Sequence, residues 1–347
     1  MQSSLKVFVN ASNCMSGGGR TLIKGLLKGA AFYPNYEFVI FIDARFDISI
    51  TESNLIYIRI EKKNRFKVAF MIKKQLKPND IIFYFGNLPP LISFPKHRVF
   101  LLQSNRFMVE KYNLKGFSLK RKIAIILERT YFNLFSKNVT DIIVQTSSMC
   151  SLVKKLKRGI PVHIMPSYDL EKFAIQQIVR TTIKIPETFL YVASLYPYKN
   201  HERLIRAWKK LADEGLSPQL SITVDENNAL STWIENYIKQ NKLNIIILRK
   251  IPREELLKVY EESEVLIFPS LYESYGLPLV EAKAYNMKVI ASDLDFSWDL
   301  IDPDDYFNPY DENAIARAIA RYLKKPRVKD HILSPKEFLE SFLQLTN

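Results

Sequence analysis

Pro269-Ser270-Leu271-Tyr272-Glu273-Ser274-Tyr275-Gly276-Leu277-Pro278-Leu279-Val280-Glu281-Ala282 is the stretch that decides the fold of this 347-residue chain. It follows Val265-Leu266-Ile267-Phe268, an apolar run that is typical of a buried parallel strand. Because Pro278 suits the first turn of a helix, the sequence predicts a strand, a polar loop and a helix. Glu273 then lies in the loop at the carboxyl end of the strand, and Glu281 lies about one turn inside the helix. Since free N–H groups at a helix start bind anions, two carboxylates suited to sugar hydroxyls are predicted to flank a diphosphate site.

Strand-like and helix-like segments alternate along the chain, a pattern typical of parallel sheets covered by helices on both faces. The predicted fold class is therefore α/β. Residues 1–168 are predicted to form one domain and residues 169–330 a second, followed by a last helix within 331–347. The predicted strands are Leu5–Val9, Glu37–Ile42, Ile81–Phe85, Val99–Gln103, Ile142–Gln145 and Val162–Met165, then segments near Phe189, Leu220, Ile245, Val265 and Val289.

The spacing of Glu273 and Glu281 resembles the Glu-x7-Glu motif of retaining GT-B glycosyltransferases of family GT4. Three further segments, between about 187 and 323, resemble that family in order and spacing. They are Tyr191–His201, similar to a phosphate loop with a lysine before a helix, Lys288–Asp293, similar to the next strand, and Tyr306–Asp311, similar to a later loop. The resemblance implies the GT-B fold, in which two Rossmann-like domains with parallel sheets face each other across a cleft. It also implies that the last helix packs back on the first domain.

This resemblance implies a site for a nucleoside-diphosphate sugar on the second domain. Glu281 would bind the ribose hydroxyls, and Glu273 would bind a hydroxyl of the transferred sugar. Lys199 would offset the charge of the leaving diphosphate, so no metal and no cofactor besides the donor substrate are expected. The family more often has Gly and Phe where this chain has Ser274 and Tyr275. The backbone N–H groups that would line the diphosphate and sugar belong to Tyr275, Gly276 and Leu277.

One phosphate-binding cation of the family pattern is missing from its usual place. Many family members have an arginine where this chain has Ser194. Arg249 or Lys250, in a loop expected near the base, is the candidate replacement. In the alternative interpretation both are ordinary surface cations.

The first domain is expected to bind the acceptor. Gly18 and Gly19 belong to a triple-glycine loop between the first strand and first helix, and they are candidates for contact with the donor phosphates or the acceptor. The segments Phe85–Pro90 and Gln103–Arg106 resemble a subgroup associated with bacterial surface polysaccharides, such as O-antigen and capsule. The acceptor-side candidates in the second segment are Gln103, Asn105 and Arg106. Neither Gln103 nor Asn105 is a general base at neutral pH, which is compatible with retaining enzymes that need no protein base.

The net charge of +14 is unevenly divided. Residues 1–168 contain 27 Lys and Arg against 9 Asp and Glu, whereas the remainder contains 23 against 27. This asymmetry points to a polyanionic partner for the first half, either nucleic acid or an anionic membrane surface. We expect the anionic inner face of the cytoplasmic membrane, contacted by a basic and apolar helix within 115–137, and a lipid-linked saccharide acceptor there. In the alternative interpretation residues 115–137 form a core helix with a basic end in solvent. The chain has only two cysteines and no signal peptide, which favours a cytoplasmic location. No apolar run is long enough to span a membrane, so we expect a peripheral membrane protein.

Other interpretations stay open at this point. A sugar-nucleotide epimerase with the same fold would turn over the donor without an acceptor. A nucleic-acid-binding protein would fit the isoelectric point near 9.5, but no base-stacking aromatics accompany the basic residues on a recognised module, so no nucleic acid is expected. Asp293 and Asp295 have the spacing of a metal-binding pair, but they follow the wrong kind of segment and no metal site is predicted.

Overall fold

Two parallel sheets make up the protein. The computed structural model describes residues 5–14, 17–48, 50–112, 114–167, 184–224, 228–249 and 251–324. The first sheet has seven strands in the order β3-β2-β1-β4-β5-β6-β7, and the second has six in the order β10-β9-β8-β11-β12-β13. Every pair of neighbouring strands is parallel. The predicted α/β class with two parallel sheets is therefore confirmed.

We call the part built on the seven-stranded sheet the first domain. Its strands are β1 (Leu5–Ala11), β2 (Tyr36–Asp43), β3 (Leu55–Ile60), β4 (Ile81–Tyr84), β5 (Val99–Leu102), β6 (Asp141–Val144) and β7 (Val162–Ile164). Its helices are α1 (Gly17–Ala30), α2 (Val68–Gln75), α3 (Arg106–Val109), α4 (Leu119–Phe135) and α5 (Ser147–Leu156).

The second domain is built on the six-stranded sheet. Its strands are β8 (Ile185–Tyr191), β9 (Gln219–Thr223), β10 (Ile245–Leu248), β11 (Ser263–Phe268), β12 (Lys288–Ser292) and β13 (Asp305–Phe307). Its helices are α6 (His201–Asp213), α7 (Ala229–Gln240), α8 (Arg253–Glu262), α9 (Leu277–Ala284), α10 (Asp295–Leu300) and α11 (Glu312–Lys324).

The structure differs from the sequence-based prediction at sheet edges. The predicted first-domain strands end within two residues of the observed ones, but β3 and β13 were missed, and Tyr306 lies in a strand rather than a loop. Both missed strands pair on one side only, β3 with β2 and β13 with β12. The predicted boundary near residue 168 and the last helix at 331–347 fall outside the described residues. Among the described helices, none is long and apolar enough to cross a membrane.

Buried strands hold the site in place. The side chains of β11 from Val265 to Phe268 are fully buried, as expected for a strand covered by helices on both faces. In each sheet the strand order reverses beside a central strand, next to β1 in the first and next to β8 in the second. Because crevices open at such switch points, beyond the carboxyl ends of the strands, ligands are expected at the loops that follow β1, β8 and β11.

Candidate functional site

A cleft of about 620 Å³ opens at these switch points. Both domains line it, so a ligand in the cleft would touch the start of helix α1 as well as the loops after β8 and β11. Most of the predicted donor-site residues meet here. The lining includes Gly18, Gly19, Ser194, Lys199, Arg249, Arg253, Glu273, Ser274, Tyr275, Gly276, Leu277 and Glu281.

Lys199 and Glu273 form an ion pair in the cleft. The Nζ atom of Lys199 lies 2.5 Å from Oε1 of Glu273, and the two side chains are only 14% and 10% exposed. Their loops are joined by the backbone, because the N–H of Leu271 donates to the carbonyl of Tyr198 at 2.8 Å. A cation and a carboxylate that are held together and largely buried can bind a phosphate and a sugar hydroxyl side by side.

Glu281 lies in the same cleft but has different partners. Its Oε2 accepts a hydrogen bond from the hydroxyl of Tyr260 at 2.8 Å, and its Oε1 pairs with the guanidinium of Arg253 at 2.5 Å. The residue is 4% exposed. With its position fixed by two donors, this carboxylate can accept further hydrogen bonds from ligand hydroxyls.

Gly276 allows the sharp turn that separates the two glutamates. Its φ of 79° lies in the left-handed region, where residues with a Cβ are strained. A Cβ there would also lie 3.1 Å from Cδ1 of Leu279. The helix α9 begins at the next residue, with Pro278 in its first turn as predicted.

Gly18 allows the first domain to approach the start of α9. A Cβ at Gly18 would lie 2.9 Å from Cδ1 of Leu277, which is closer than real Cβ contacts. Gly19 lines the cleft beside it. Gly18 and Gly19 were predicted in a loop, but they lie in the first turn of helix α1, which begins at Gly17. This turn faces the motif of the second domain, and contact with donor or acceptor stays a prediction.

Asn200 holds the loop that carries Lys199. It has a left-handed φ of 64°, and its Nδ2 donates to the carbonyls of Pro269 at 3.0 Å and Pro309 at 2.8 Å. One side chain thus links the loops that follow β8, β11 and β13. Next to it, burial and the charge of Lys199 lower the pKa of His201 to about 3, so this ring is neutral in the folded protein.

Besides Lys199, the cations Arg249 and Arg253 line the cleft. Arg249 lines the cleft and pairs with Glu235, whereas Lys250 lies outside the described residues. Arg253 was not predicted as a site residue. Its only sequence signal was its place after Pro252 in the first turn of a helix, so the cation paired with Glu281 became visible only in the fold.

The three acceptor-side candidates do not line the cleft; their neighbour Ser104 does. Gln103 is fully buried, and its Oε1 accepts from the N–H of Asn105 at 3.1 Å. The Oδ1 of Asn105 caps the four-residue helix α3 by accepting from the N–H of Phe107 at 3.1 Å. Arg106 is turned into the junction between the domains, where it pairs with Asp295. The local sequence did not indicate that Gln103 and Asn105 lie in a short buried turn, or that Arg106 pairs with a residue of the other domain.

The described residues contain no cluster of three or more His, Cys, Asp or Glu side chains that could hold a metal ion. Asp295 pairs with Arg106, and Asp293 accepts a hydrogen bond from the indole of Trp298 at 3.0 Å.

Comparisons with known proteins agree with this geometry. Residues 176–335 match the family model of the glycosyl transferases group 1. The serotype-specific mannosyltransferase WbdA of Escherichia coli is 27% identical over 190 residues, which cover 52% of this chain and 22% of WbdA. The O-antigen chain mannosyltransferase RfbU of Salmonella typhimurium is 23% identical over 255 residues, covering 71% of this chain and 68% of RfbU.

The solved structures agree on the fold. Sucrose-phosphate synthase from Thermosynechococcus elongatus superposes with a TM-score of 0.65 at 17% identity, covering 93% of this chain and 90% of the synthase.

The chain spans only about a fifth of the length of WbdA. The resemblance carried by Glu273 and Glu281 is thereby confirmed: the chain has the GT-B fold, and its second domain belongs to the glycosyl transferases group 1.

Proposed function

We propose that this protein transfers a sugar, with retention of anomeric configuration, from a nucleoside-diphosphate sugar to a lipid-linked saccharide in the synthesis of a bacterial surface polysaccharide. The observation that carries the proposal is the buried pair of Lys199 and Glu273 in the same cleft as Glu281. Because WbdA and RfbU are named mannosyltransferases, a mannosyl donor is the first candidate.

Lys199 is the residue that we assign to the leaving group. When the bond between the anomeric carbon and the diphosphate oxygen breaks, negative charge grows on that oxygen, and a cation placed there stabilises the transition state more than the ground state. The donor would compete with Glu273 for the ammonium group of Lys199, which frees the carboxylate to accept from a sugar hydroxyl. In this scheme neither a metal nor another cofactor is needed.

The membrane part of the proposal is supported by an apolar face on α4. One side of the helix is buried through Ile125 and Phe132. The opposite side exposes large apolar side chains at helical spacing, from 49% to 73% exposed, which is unusual for a helix facing only water. These side chains belong to Leu119, Ile123, Ile126, Leu127 and Leu134.

Basic residues flank this apolar face, as expected for a helix lying on anionic lipid. On a helical projection Lys120 and Lys122 lie on either side of the apolar stripe of α4. Phe66 and Phe70 are also exposed, by 67% and 52%, in the basic segment that contains α2. Each basic residue close to an anionic surface contributes about 1 kcal/mol of attraction.

A pocket of about 220 Å³ lies between the segment 62–69 and α4. Its walls combine cations with apolar and aromatic side chains, among them Lys62, Arg65, Phe66, Leu91 and Tyr131. The cations suit the phosphate groups of a lipid-linked acceptor, and the apolar and aromatic side chains suit the first carbons of its lipid chain. We therefore propose that the acceptor enters the first domain here rather than at Gln103 and Arg106.

The donor part is tested by thermal shift and by transfer. Nucleoside-diphosphate sugars that differ in base and sugar are screened, and the true donor is expected to raise the melting temperature by mass action. That donor is then incubated with and without a lipid-linked saccharide. Turnover of the donor without an acceptor, giving an isomerised sugar nucleotide, would show an epimerase instead, and the absence of any stabilising nucleotide would reject the proposal.

The membrane part is tested by co-sedimentation with vesicles of graded anionic lipid content. We expect binding that rises with anionic lipid, weakens with salt and is lost when Lys120, Lys122 and Lys137 are changed to Glu. The matched control changes three exposed lysines of the second domain, Lys239, Lys242 and Lys258, to Glu and should bind normally. Wild-type protein that ignores anionic vesicles but binds RNA or DNA tightly would contradict the membrane proposal.

A further inference from the structure

Arg106 makes a bidentate ionic contact between the domains. This residue begins the short helix α3 of the first domain and is 7% exposed. Its guanidinium donates to both carboxylate oxygens of Asp295, at 2.9 and 2.8 Å, and to Glu110 at 2.5 Å. Burial opposes the charge of Arg106, but the hydrogen bonds that its guanidinium donates to the two carboxylates outweigh this effect and raise the pKa, so the side chain stays charged.

Arg106 also holds three consecutive residues of the donor loop. Its guanidinium lies 5.1 Å from the ring centroid of Tyr272 and 3.4 Å from the carbonyl oxygen of Glu273. Its backbone N–H donates to the hydroxyl of Ser274 at 3.0 Å. A glycine, more common in the family at that position, would lack this hydroxyl. The loop that carries Glu273 is therefore held from the opposite domain.

An aromatic cluster extends the same contact to the loop of Lys199. Phe107, next to Arg106, packs on Tyr272 with ring centroids 4.5 Å apart and on Tyr198 at 5.3 Å. Phe117 stacks on Tyr198 at 6.0 Å. Tyr272 and Tyr198 directly precede Glu273 and Lys199, so both members of the ion pair follow a ring that is clamped by the first domain.

We propose that Arg106 is a positioning residue that makes the geometry of the Lys199 and Glu273 pair depend on contact between the domains. The inference rests on the proposed function, since it assigns a task within that reaction. Arg106 does not touch the cleft itself. It acts through the loop 272–274. The guanidinium lies over the ring of Tyr272 and donates to the carbonyl of Glu273, and the backbone N–H donates to the hydroxyl of Ser274.

The test compares Arg106→Met, Arg106→Lys and Ser274→Gly with the wild type. Asp295 and Glu110 are 47% and 33% exposed at their side chains, so the Met variant leaves no buried charge without water. Lysine keeps the charge but cannot make the two parallel bonds to Asp295. The matched control is Arg98→Met, which removes an arginine bonded to Asp141 at 2.8 Å within the first domain.

Three quantities are measured: the affinity for nucleoside diphosphate, the kcat and KM of transfer, and amide hydrogen exchange in residues 269–277. We expect Arg106→Met to lower kcat by roughly 10- to 100-fold through misplacement of the loop. Nucleoside diphosphate affinity should fall by much less than kcat, because the carboxylate assigned to the ribose keeps its partners. Exchange in the loop should accelerate, Arg106→Lys should recover part of kcat, and Arg98→Met should behave as wild type.

The proposal is overturned if Arg106→Met leaves kcat and loop exchange unchanged, or if affinity and kcat fall equally. Should the Met variant fail to fold, Ser274→Gly alone decides, since it removes one hydroxyl and must still lower kcat with unchanged affinity. If the wild type itself transfers no sugar, the proposed function fails, and loop exchange still shows whether Arg106 holds the loop.

Discussion

The pair of Lys199 and Glu273 can be tested without any ligand, through the stability of the second domain. At an effective dielectric constant of about 20, two unit charges about 4 Å apart attract by about 4 kcal/mol, and desolvation offsets most of this. Removing only one partner leaves the charge of the other without its ion-pair partner, in a site where that side chain is about nine-tenths buried. Since loss of one partner of a buried pair costs about 3–5 kcal/mol, and both side chains keep some exposure, we expect Lys199→Met to cost about 2–3 kcal/mol.

The double variant Lys199→Met with Glu273→Gln removes both charges and should lie within about 1 kcal/mol of the wild type. The assay is urea denaturation, supported by a fall in melting temperature of about 5–10 °C for the single variant. The control is Lys209→Met, which breaks a pair of equal length, 2.5 Å, with Asp213, whose side chain is 61% exposed. This control should cost less than about 1 kcal/mol. If the double variant lost as much stability as the two single variants together, the reasoning would be refuted. Such additivity would mean that the two side chains stabilise the protein independently of each other.

Two further predictions follow from the site. Glu281→Ala should weaken nucleoside diphosphate binding by about 1.5–3 kcal/mol, whereas Glu273→Ala should spare that affinity and reduce transfer; equal losses of affinity in calorimetry would contradict this division of roles. The second prediction concerns His201, whose pKa is lowered to about 3 by burial and Lys199. Because the unfolded chain binds the proton more tightly, stability is lost as the pH falls below about 6.5. Between pH 7 and 5 the free energy of unfolding of the wild type should fall by about 2 kcal/mol more than that of His201→Asn. Denaturant titrations that give parallel pH profiles for the two proteins would disprove this prediction.

The donor site could be predicted because its signals are local. A short apolar run, a glycine and a proline define strand β11, the turn at Gly276 and helix α9 within twenty-two residues of sequence, and each is observed. Of the four edge strands, β7 and β10 were predicted, whereas β3 and β13 were missed. Strand β13 has only three residues and is defined by its pairing with β12. The pairing that makes it a strand is a property of the sheet rather than of its own residues.

The role of Arg106 could not be predicted in this way. In sequence it is one basic residue among 27 in the first half, and arginine is rarely buried unless it is paired. Its partners Ser274 and Asp295 lie 168 and 189 residues away, on the other domain. Only the docking of two separately predictable domains brings them together.

Helix α4 shows the same limit from the other side. Its basic start and its apolar residues are evident in the sequence, but the sequence does not show which apolar residues face the protein. In the structure Ile125 packs in a cluster with Phe107, Phe117 and Tyr272, while the opposite side of the helix stays exposed. The helix therefore has two apolar faces with different tasks, one burying the contact that clamps the donor loop and the other left for a partner. A pattern of period 3.6 locates one such face, and assigning two requires knowledge of what the helix packs against.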